Sequence, residues 1–276
     1  MRMRGPRLSE RDVECAGTRT RLLEAGPDGG PPLVLLHGVL SRGAAWAGVM
    51  PKLAAKRRVV APDMPLHGRT RTPRTFDMGP EGMTAWLEAL LEGLGAPVAD
   101  LCGLSMGGAV ATHFAARRPA RVRHLVLVDA ANVVPIAGPY DALLASVRSR
   151  LRAEIGGVGA AGGGAGPADI AGELASDPII SGVLVYVKAQ GIPLEQLAAG
   201  LGLLEPLGRE GLSRIAAPTL AIWGSDDPYF PAGPASDALR GGLPHGRFEV
   251  LEGIGHNPVD EAPDAFLRLL EGFLDA

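Results

Sequence analysis

Short apolar runs alternate with helical patterns along most of this chain, and this alternation is the feature that most limits the folds open to it. A typical strand is predicted at 33–36, where four apolar residues stand between proline and glycine. A typical helix is predicted at 80–94, with Met83, Trp86, Leu87, Leu90, Leu91 and Leu94 along one face. Strands separated by helices form a parallel sheet that is covered on both faces. We therefore expect an α/β fold.

Similar patterns give the other elements. One or two edge strands are predicted in 11–25, and further strands in 57–63, 96–104, 121–131, 217–224 and 246–253. Helices are predicted in 44–55, 107–119 and 263–276. At 276 residues, of which 46% are hydrophobic, the chain suits one large domain or a domain with an insertion.

Residues 133–214 interrupt the alternation after the sixth core strand. They contain a glycine and alanine tract at 156–166, which is too poor in large apolar residues to fold by itself and predicts a mobile loop. Helices are predicted around it at 139–154, 178–190 and 193–204. The sequence thus predicts a first part of the core at 1–132, a helical lid at 133–214 and a second part of the core at 215–276.

Composition excludes several classes of protein. The net charge is −3 and no basic block lies beside aromatic residues, so we expect no nucleic-acid partner. No uncharged run reaches the roughly 18 residues of a membrane span, and the basic segment 1–12 leads into no apolar region, which predicts a disordered tail and not a secretory signal. With only Cys15 and Cys102, a disulfide framework is not expected. These features favour a cytoplasmic protein, monomer or homodimer, that acts on a small neutral or apolar molecule.

The stretch DLCGLSMGGAV, residues 100–110, places one serine among small residues. Gly103, Ser105 and Gly107 fit the pattern G-x-S-x-G between a predicted strand and a predicted helix. In that context the serine lies on a sharp turn with its hydroxyl exposed at the edge of the sheet. A side chain at either glycine would collide with the neighbouring backbone in so tight a turn. The pattern therefore predicts that Ser105 is a nucleophile.

A serine hydroxyl needs a base that accepts its proton and a carboxylate that orients the base. Two loops after Ser105 offer these groups, WGSDDPYFP and GIGHNPVDEAP, each at the end of a predicted strand. His256 lies in the second loop, whereas His113 is in the middle of a helix and His124 opens a strand. The order serine, aspartate, histidine is that of one known hydrolase fold.

The chain resembles the α/β-hydrolases from His37 through the C-terminal helix. The matching segments are HGVLSRGAAW, PDMPLHGRT, CGLSMGG, WGSDDPYFP and GIGHNPVDEAP. The acid of similar proteins is the fourth residue of a G-x-x-D turn, often with proline four residues on. Counted from Gly224, the resemblance implies Asp227 as the acid, with Asp226 as a neighbour that shapes the turn and Asp129 as the alternative acid.

The resemblance also implies the rest of the site. The oxyanion hole would be formed by the backbone N–H groups of Val39 and Met106, and the substrate would contact His37, Gly38 and Leu104. No metal and no cofactor are implied. One departure is at Leu66, which stands where relatives often have the first glycine of G-H-G, so we expect the loop conformation to differ there.

The chemistry implied is acyl transfer to water through an acyl-serine. GLSMGG together with GHNP resembles serine esterases, enol-lactonases and perhydrolases, which favours a small to medium, largely apolar carboxylic ester or lactone as substrate. Relatives that open epoxides or carbon–halogen bonds have aspartate where Ser105 stands. Carbon–carbon bond hydrolases usually have asparagine where Leu104 stands. That class remains an alternative, as do an acyltransferase or cyclase of a natural-product or catabolic pathway and a non-catalytic ligand-binding hydrolase fold.

Overall fold

A central sheet organises the molecule in the computed structural model, which describes residues 6–137, 182, 185–186, 189–243 and 245–276. Its strands are β1 (Ser9–Cys15), β2 (Thr18–Ala25), β3 (Leu33–Leu36), β4 (Val59–Pro62), β5 (Ala99–Leu104), β6 (Val122–Val128), β7 (Thr219–Gly224) and β8 (Arg247–Leu251). They lie in the order β1-β2-β4-β3-β5-β6-β7-β8. The pairs β1–β2 and β2–β4 are antiparallel, and all later neighbours are parallel. The predicted α/β fold with a mostly parallel sheet is confirmed.

The helices of the described residues follow the predicted order with some differences. They are α1 (Met50–Leu53), α2 (Pro80–Gly93), α3 (Met106–Arg117), α4 (Leu194–Leu201), α5 (Gly208–Leu212), α6 (Ala232–Gly242), α7 (Pro258–Glu261) and α8 (Pro263–Leu274). The helix predicted at 44–55 is a 3₁₀ segment, Gly43–Gly48, followed by α1, and the one predicted at 193–204 is α4 followed by a 3₁₀ turn. The predicted helix 139–154, much of 178–190 and the tract 156–166 lie outside the described residues.

The predicted tail at 1–12 is wrong in its last part. Strand β1 begins at Ser9 and pairs with β2 through residues that are mostly polar. An exposed edge strand has one polar face, so its hydrophobic pattern is weak, and its position depends on the neighbouring strand.

The core lies on both faces of the sheet, as the continuous apolar strands predict. Along β3, Leu33 and Leu35 belong to one cluster of buried side chains, while Val34 and Leu36 belong to the other. Successive side chains of a strand point to opposite faces, so each face of this strand is covered. Helices α2 and α3 contribute to the cluster of Val34, and α1 and α8 contribute to that of Leu33.

The parallel strands place the ends of β5, β6, β7 and β8 at one edge of the sheet. Ser105, Asp129, Asp227 and His256 all follow these ends. In open α/β sheets, ligands bind outside the carboxyl ends of the strands. The fold therefore brings the predicted nucleophile, base and candidate acids to the edge where a site is expected.

Cys15 and Cys102 are buried free thiols, and burial raises the pKa of both. None of the described helices is long and apolar enough to cross a membrane.

Candidate active site

Ser105 lies in a sharp turn between β5 and α3. Its backbone φ is 53°, in the left-handed region that non-glycine residues rarely adopt. The neighbouring chain fixes this conformation: the Ser105 N–H donates to the Val128 carbonyl at 3.0 Å, and the Ala131 N–H donates to the Ser105 carbonyl at 3.0 Å. A strained residue held by its surroundings is typical of a functional site.

The two glycines of the motif allow the backbone segments to approach closely. A Cβ atom on Gly103 would lie 2.3 Å from the Gly107 carbonyl oxygen, and one on Gly107 would lie 2.2 Å from the Leu36 carbonyl oxygen. Both distances are far below van der Waals contact. Alanine at either position would push the start of α3 away from the sheet.

Asp227 and His256 form a hydrogen-bonded pair. The His256 Nδ1 lies 2.9 Å from Asp227 Oδ2, while Asp227 Oδ1 accepts hydrogen bonds from the backbone N–H groups of Tyr229 at 2.8 Å and Phe230 at 3.2 Å. An ionised carboxylate only accepts, so the imidazole proton lies on Nδ1 and Nε2 is left as the base. The rings of Tyr229 and Phe230 pack on the imidazole with centroids 4.9 and 5.6 Å away.

The two other candidate acids have different surroundings. The side chain of Asp226 is exposed and faces the Ser225 hydroxyl at 2.7 Å. The side chain of Asp129 is buried, and its Oδ1 accepts from the Gly224 N–H at 3.0 Å. The position counted from Gly224 is thus the one whose carboxylate is bonded to His256.

The contact between nucleophile and base is not closed. Among the described residues, no hydrogen bond joins the Ser105 hydroxyl to His256. Such bonds are often long without substrate and tighten in the complex. The role of the three residues as a triad stays a prediction.

The loop of His256 is fixed by a residue that the sequence patterns did not single out. Both carboxylate oxygens of Glu261 accept backbone N–H groups, from Gly255 at 2.8 Å and from Asn257 at 3.0 Å. An acidic residue near the start of a helix often satisfies free N–H groups in this way. In the sequence, the acidic residues of NPVDE next to a proline that can begin a helix could have indicated this role.

The predicted oxyanion donors lie next to Ser105. Met106 is the first residue of α3, so its N–H has no acceptor within the helix. A Cβ atom on Gly38 would lie 4.0 Å from the Ser105 hydroxyl oxygen, and Val39 follows directly. The two N–H groups therefore belong to segments that border the hydroxyl, and their role stays a prediction.

His37 was predicted to contact the substrate, and this role stays a prediction. Its side chain is fully buried, with Nδ1 donating to the Gly38 carbonyl at 2.7 Å and Nε2 accepting from the Met64 N–H at 3.0 Å. Burial, followed by the neighbouring His67, lowers the pKa of His37 to about 3. A neutral imidazole with both nitrogens occupied supports the loop of Gly38. Leu104, half-buried at the end of β5, stays a predicted contact.

The loop after β4 contains the departure at Leu66. Its φ is 63°, so leucine adopts a conformation that glycine adopts freely. The carboxylate of Asp63 joins this loop to the 3₁₀ segment Gly43–Gly48, accepting from the N–H groups of Arg69 and Gly43 at 2.7 Å each. The hydroxyl of Tyr186, in the predicted lid, donates to the Leu66 carbonyl. A residue of the predicted lid therefore contacts the loop of Leu66, whose Met64 N–H donates to His37.

One group of acidic and histidine side chains offers atoms close enough for an ion. Asp129, Asp227 and His256 have one such atom each within 4.8 Å of one another. His256 Nδ1 and Asp227 Oδ2 are already bonded to each other, and Asp227 Oδ1 is bonded to two backbone N–H groups. We interpret the group as the carboxylate end of the predicted acid–base pair and not as a metal site.

Comparison with known proteins identifies the class. A family model described as alpha/beta hydrolase fold matches residues 31–263, and the chain belongs to this family.

Individual relatives show the range of that family. The chain is 43% identical over 126 residues, 45% of each chain, to a 2-hydroxy-6-oxo-2,4-heptadienoate hydrolase of Pseudomonas putida. It is 28% identical over 257 residues, 89% of this chain and 96% of the relative, to a pimeloyl-[acyl-carrier protein] methyl ester esterase of Aeromonas hydrophila. A solved bacterial membrane phospholipase A is similar in fold, with a TM-score of 0.76, 24% identity, and coverage of 97% of this chain and 86% of that one. An ester hydrolase and a dienoate hydrolase thus both occur among the relatives.

Proposed function

We propose that this chain hydrolyses a small to medium, largely apolar carboxylic ester or lactone through an acyl-Ser105 intermediate. The observation that carries the proposal is the bond from His256 Nδ1 to the buried Asp227 carboxylate at 2.9 Å. It leaves Nε2 as a base at the same sheet edge as the strained Ser105.

The reaction follows from these groups. The Ser105 hydroxyl oxygen attacks the substrate carbonyl as His256 Nε2 takes its proton, and the N–H groups of Val39 and Met106 stabilise the oxyanion. The imidazolium then gives its proton to the leaving alkoxide, which departs as an alcohol. Water repeats the two steps on the acyl-serine and releases the acid. No further reactant is needed.

The preference for apolar substrates rests on the residues around the nucleophile. Val39 and Leu40 follow Gly38, and Leu40 is 37% exposed, although it is large and apolar. Leu104 precedes Ser105 and is half-buried. An acyl chain that covers these side chains should gain up to roughly 0.8 kcal/mol per methylene, which is three- to fourfold in kcat/KM.

Two contacts support a lid role for 133–214. Tyr186 bonds the Leu66 carbonyl and stacks on the His67 ring at 5.9 Å. A Cβ atom on Gly182 would lie 2.7 Å from a methyl group of Leu40, so the lid backbone lies close over the Gly38 loop. We further propose a cytoplasmic monomer or homodimer whose partner is the small-molecule substrate alone.

A second candidate is carbon–carbon bond hydrolysis. The 43% identity with the Pseudomonas putida dienoate hydrolase over 126 residues favours it. Leu104 disfavours it, because carbon–carbon bond hydrolases usually have asparagine at this position. The esterase hypothesis therefore ranks first.

A panel of p-nitrophenyl esters from acetate to octanoate tests the first candidate, and a 2-hydroxy-6-oxo-dienoate, followed by loss of its absorbance, tests the second. We expect kcat/KM to rise with chain length until the pocket is full, and Ser105→Ala to lose about 10⁴- to 10⁶-fold in kcat while remaining folded. A fluorophosphonate probe should label Ser105, as mapped by peptide mass spectrometry. Labelling of another residue in active protein would contradict the proposal, and turnover of the dienoate alone would select the second candidate.

A further inference from the structure

Asp129 is a buried carboxyl group with one unused oxygen. It follows β6 in the left-handed region, with φ 39°, and its N–H donates to the Ile222 carbonyl at 3.1 Å. Its Oδ1 accepts from the Gly224 N–H, and its Oδ2 is buried with no hydrogen-bond partner among the described residues. A buried ionised carboxylate with an unpaired oxygen is very unfavourable.

The groups that face Asp129 are mostly acidic. Asp227 after β7 and His256 after β8 each have a side-chain atom near Asp129, and the three atoms lie within 4.8 Å of one another. Glu261 of α7 adds a further negative charge. The ion pairs of the described residues include none to Asp129. Burial, and next the charge of Asp227, raise the pKa of Asp129 to about 9. Two carboxyl groups this close in a buried site share one proton at neutral pH.

The hydrogen bonds decide which carboxyl group holds the proton. Asp227 accepts three, from the Tyr229 and Phe230 backbone and from His256, and each favours its ionised form. Among the described residues, Asp129 accepts one hydrogen bond, from the Gly224 N–H to Oδ1, and Oδ2 accepts none. The proton therefore belongs on Asp129.

We propose that Asp129 holds a proton on Oδ2, donates it in a hydrogen bond to the Asp227 carboxylate, and so acts as a positioning residue for the Asp227–His256 pair. One side chain then contacts both ends of the G-x-x-D turn, accepting from the Gly224 N–H and donating to Asp227. The role of Asp129 in turnover rests on the proposed function. Its protonation does not.

The protonation can be measured without a substrate. In protein labelled with ¹³C at the aspartate carboxyl, one NMR signal should titrate with a midpoint near 9. That signal should be absent from Asp129→Asn. Titration of every aspartate below pH 5 in the wild-type protein would overturn the proposal, whether or not any variant folds.

Stability gives a second test independent of activity. The folded-state pKa of Asp129 is raised above its unfolded value near 4, so the stabilisation from this group is complete below pH 4 and is lost as the pH rises toward 9. An asparagine at this position has no titratable proton, so it adds no pH dependence to the stability. The Tm of the wild-type protein should therefore fall relative to that of Asp129→Asn between pH 5 and 9, and a constant difference would contradict the proposal.

Kinetics separate a proton donor from a carboxylate. Asparagine can accept from Gly224 and donate to Asp227, so Asp129→Asn should keep kcat within about threefold, whereas Asp129→Leu should lose about 10- to 100-fold. Above pH 9 the wild-type kcat should fall while that of Asp129→Asn should not. Equal large losses in both variants, or none in either, would overturn the positioning role. If no ester is turned over at all, the proposed function fails, while the NMR and Tm results still decide the protonation.

Discussion

Replacing Asp227 by asparagine tests how the carboxylate orients the base. Its Oδ1 accepts two backbone N–H groups, from Tyr229 and Phe230, so the carbonyl oxygen of the asparagine should take that place. The opposite orientation would leave both N–H groups without an acceptor and would cost about 1–3 kcal/mol for each. The amide NH₂ of the asparagine therefore points at His256 Nδ1.

The consequence is the wrong tautomer of the imidazole. Nδ1 must now accept from the amide, so the imidazole proton moves to Nε2. Nε2 can then no longer accept the proton of the Ser105 hydroxyl. The favourable interaction of the imidazolium with a carboxylate is lost as well. We expect kcat to fall by about 10⁴-fold, which is about 5 kcal/mol of transition-state stabilisation.

The assay is the kcat for the best ester of the p-nitrophenyl panel, measured at several pH values with thermal unfolding as a check of the fold. Asp226→Asn is the matched control, because that side chain is exposed and bonds only the Ser225 hydroxyl among the described residues. It should keep kcat within about threefold. An effect of Asp226→Asn as large as that of Asp227→Asn would refute the assignment of the acid.

Two changes of stability test the backbone geometry. Gly107→Ala should destabilise the protein by about 1–3 kcal/mol or more in urea unfolding, because the new Cβ would lie 2.2 Å from the Leu36 carbonyl oxygen. The control is Gly272→Ala in α8, whose Cβ meets nothing within 4 Å and which should stabilise by about 0.5–1 kcal/mol; equal effects would contradict the geometry. In the β1–β2 turn, Ala16 and Gly17 both have positive φ, 49° and 75°, so Ala16→Asn should raise the Tm slightly and Ala16→Val should lower it. A higher Tm for the valine variant would show that the turn has another conformation.

The sheet could be predicted from the sequence because most of its strands are buried on both faces. The four-residue runs LVLL and VVAP are wholly apolar; the first follows Pro32, and the second ends at Pro62 before Asp63. Such runs need no partner to be recognised, because their hydrophobicity reflects their burial. Helix α2 was predictable for a similar reason, since its apolar residues recur at helical spacing.

Helix α6 was missed because its sequence lacks that periodicity. The segment AGPASDALRGG contains three glycines, an internal proline and one large apolar residue, Leu239, which is buried. Its formation depends on Pro231 before the first turn and on packing against α5 and β8. Propensity alone favours a loop there.

The acid of the site could not be chosen from the residues alone. Asp129 and Asp227 both follow parallel strands and are both buried, so either could reach the histidine loop. The count from Gly224 selected Asp227 through the resemblance. What distinguishes the two side chains is the number of backbone N–H groups that each receives, and these come from turn geometry that a sequence pattern does not specify.

The loop at Leu66 shows how tertiary contacts override a local preference. A left-handed leucine costs roughly 1–2 kcal/mol relative to the usual backbone regions. Its N–H donates to the Thr72 hydroxyl at 2.8 Å, and its carbonyl accepts from Tyr186. Such strain persists only where surrounding contacts determine the conformation. The hydrogen bonds of Thr72 and Tyr186 therefore stabilise at Leu66 a backbone conformation that glycine would adopt without strain. The residue at position 66 can therefore depart from the family pattern while the Met64 N–H of the same loop still donates to His37. His37 in turn bonds the carbonyl of Gly38, a residue that lies next to the Ser105 side chain.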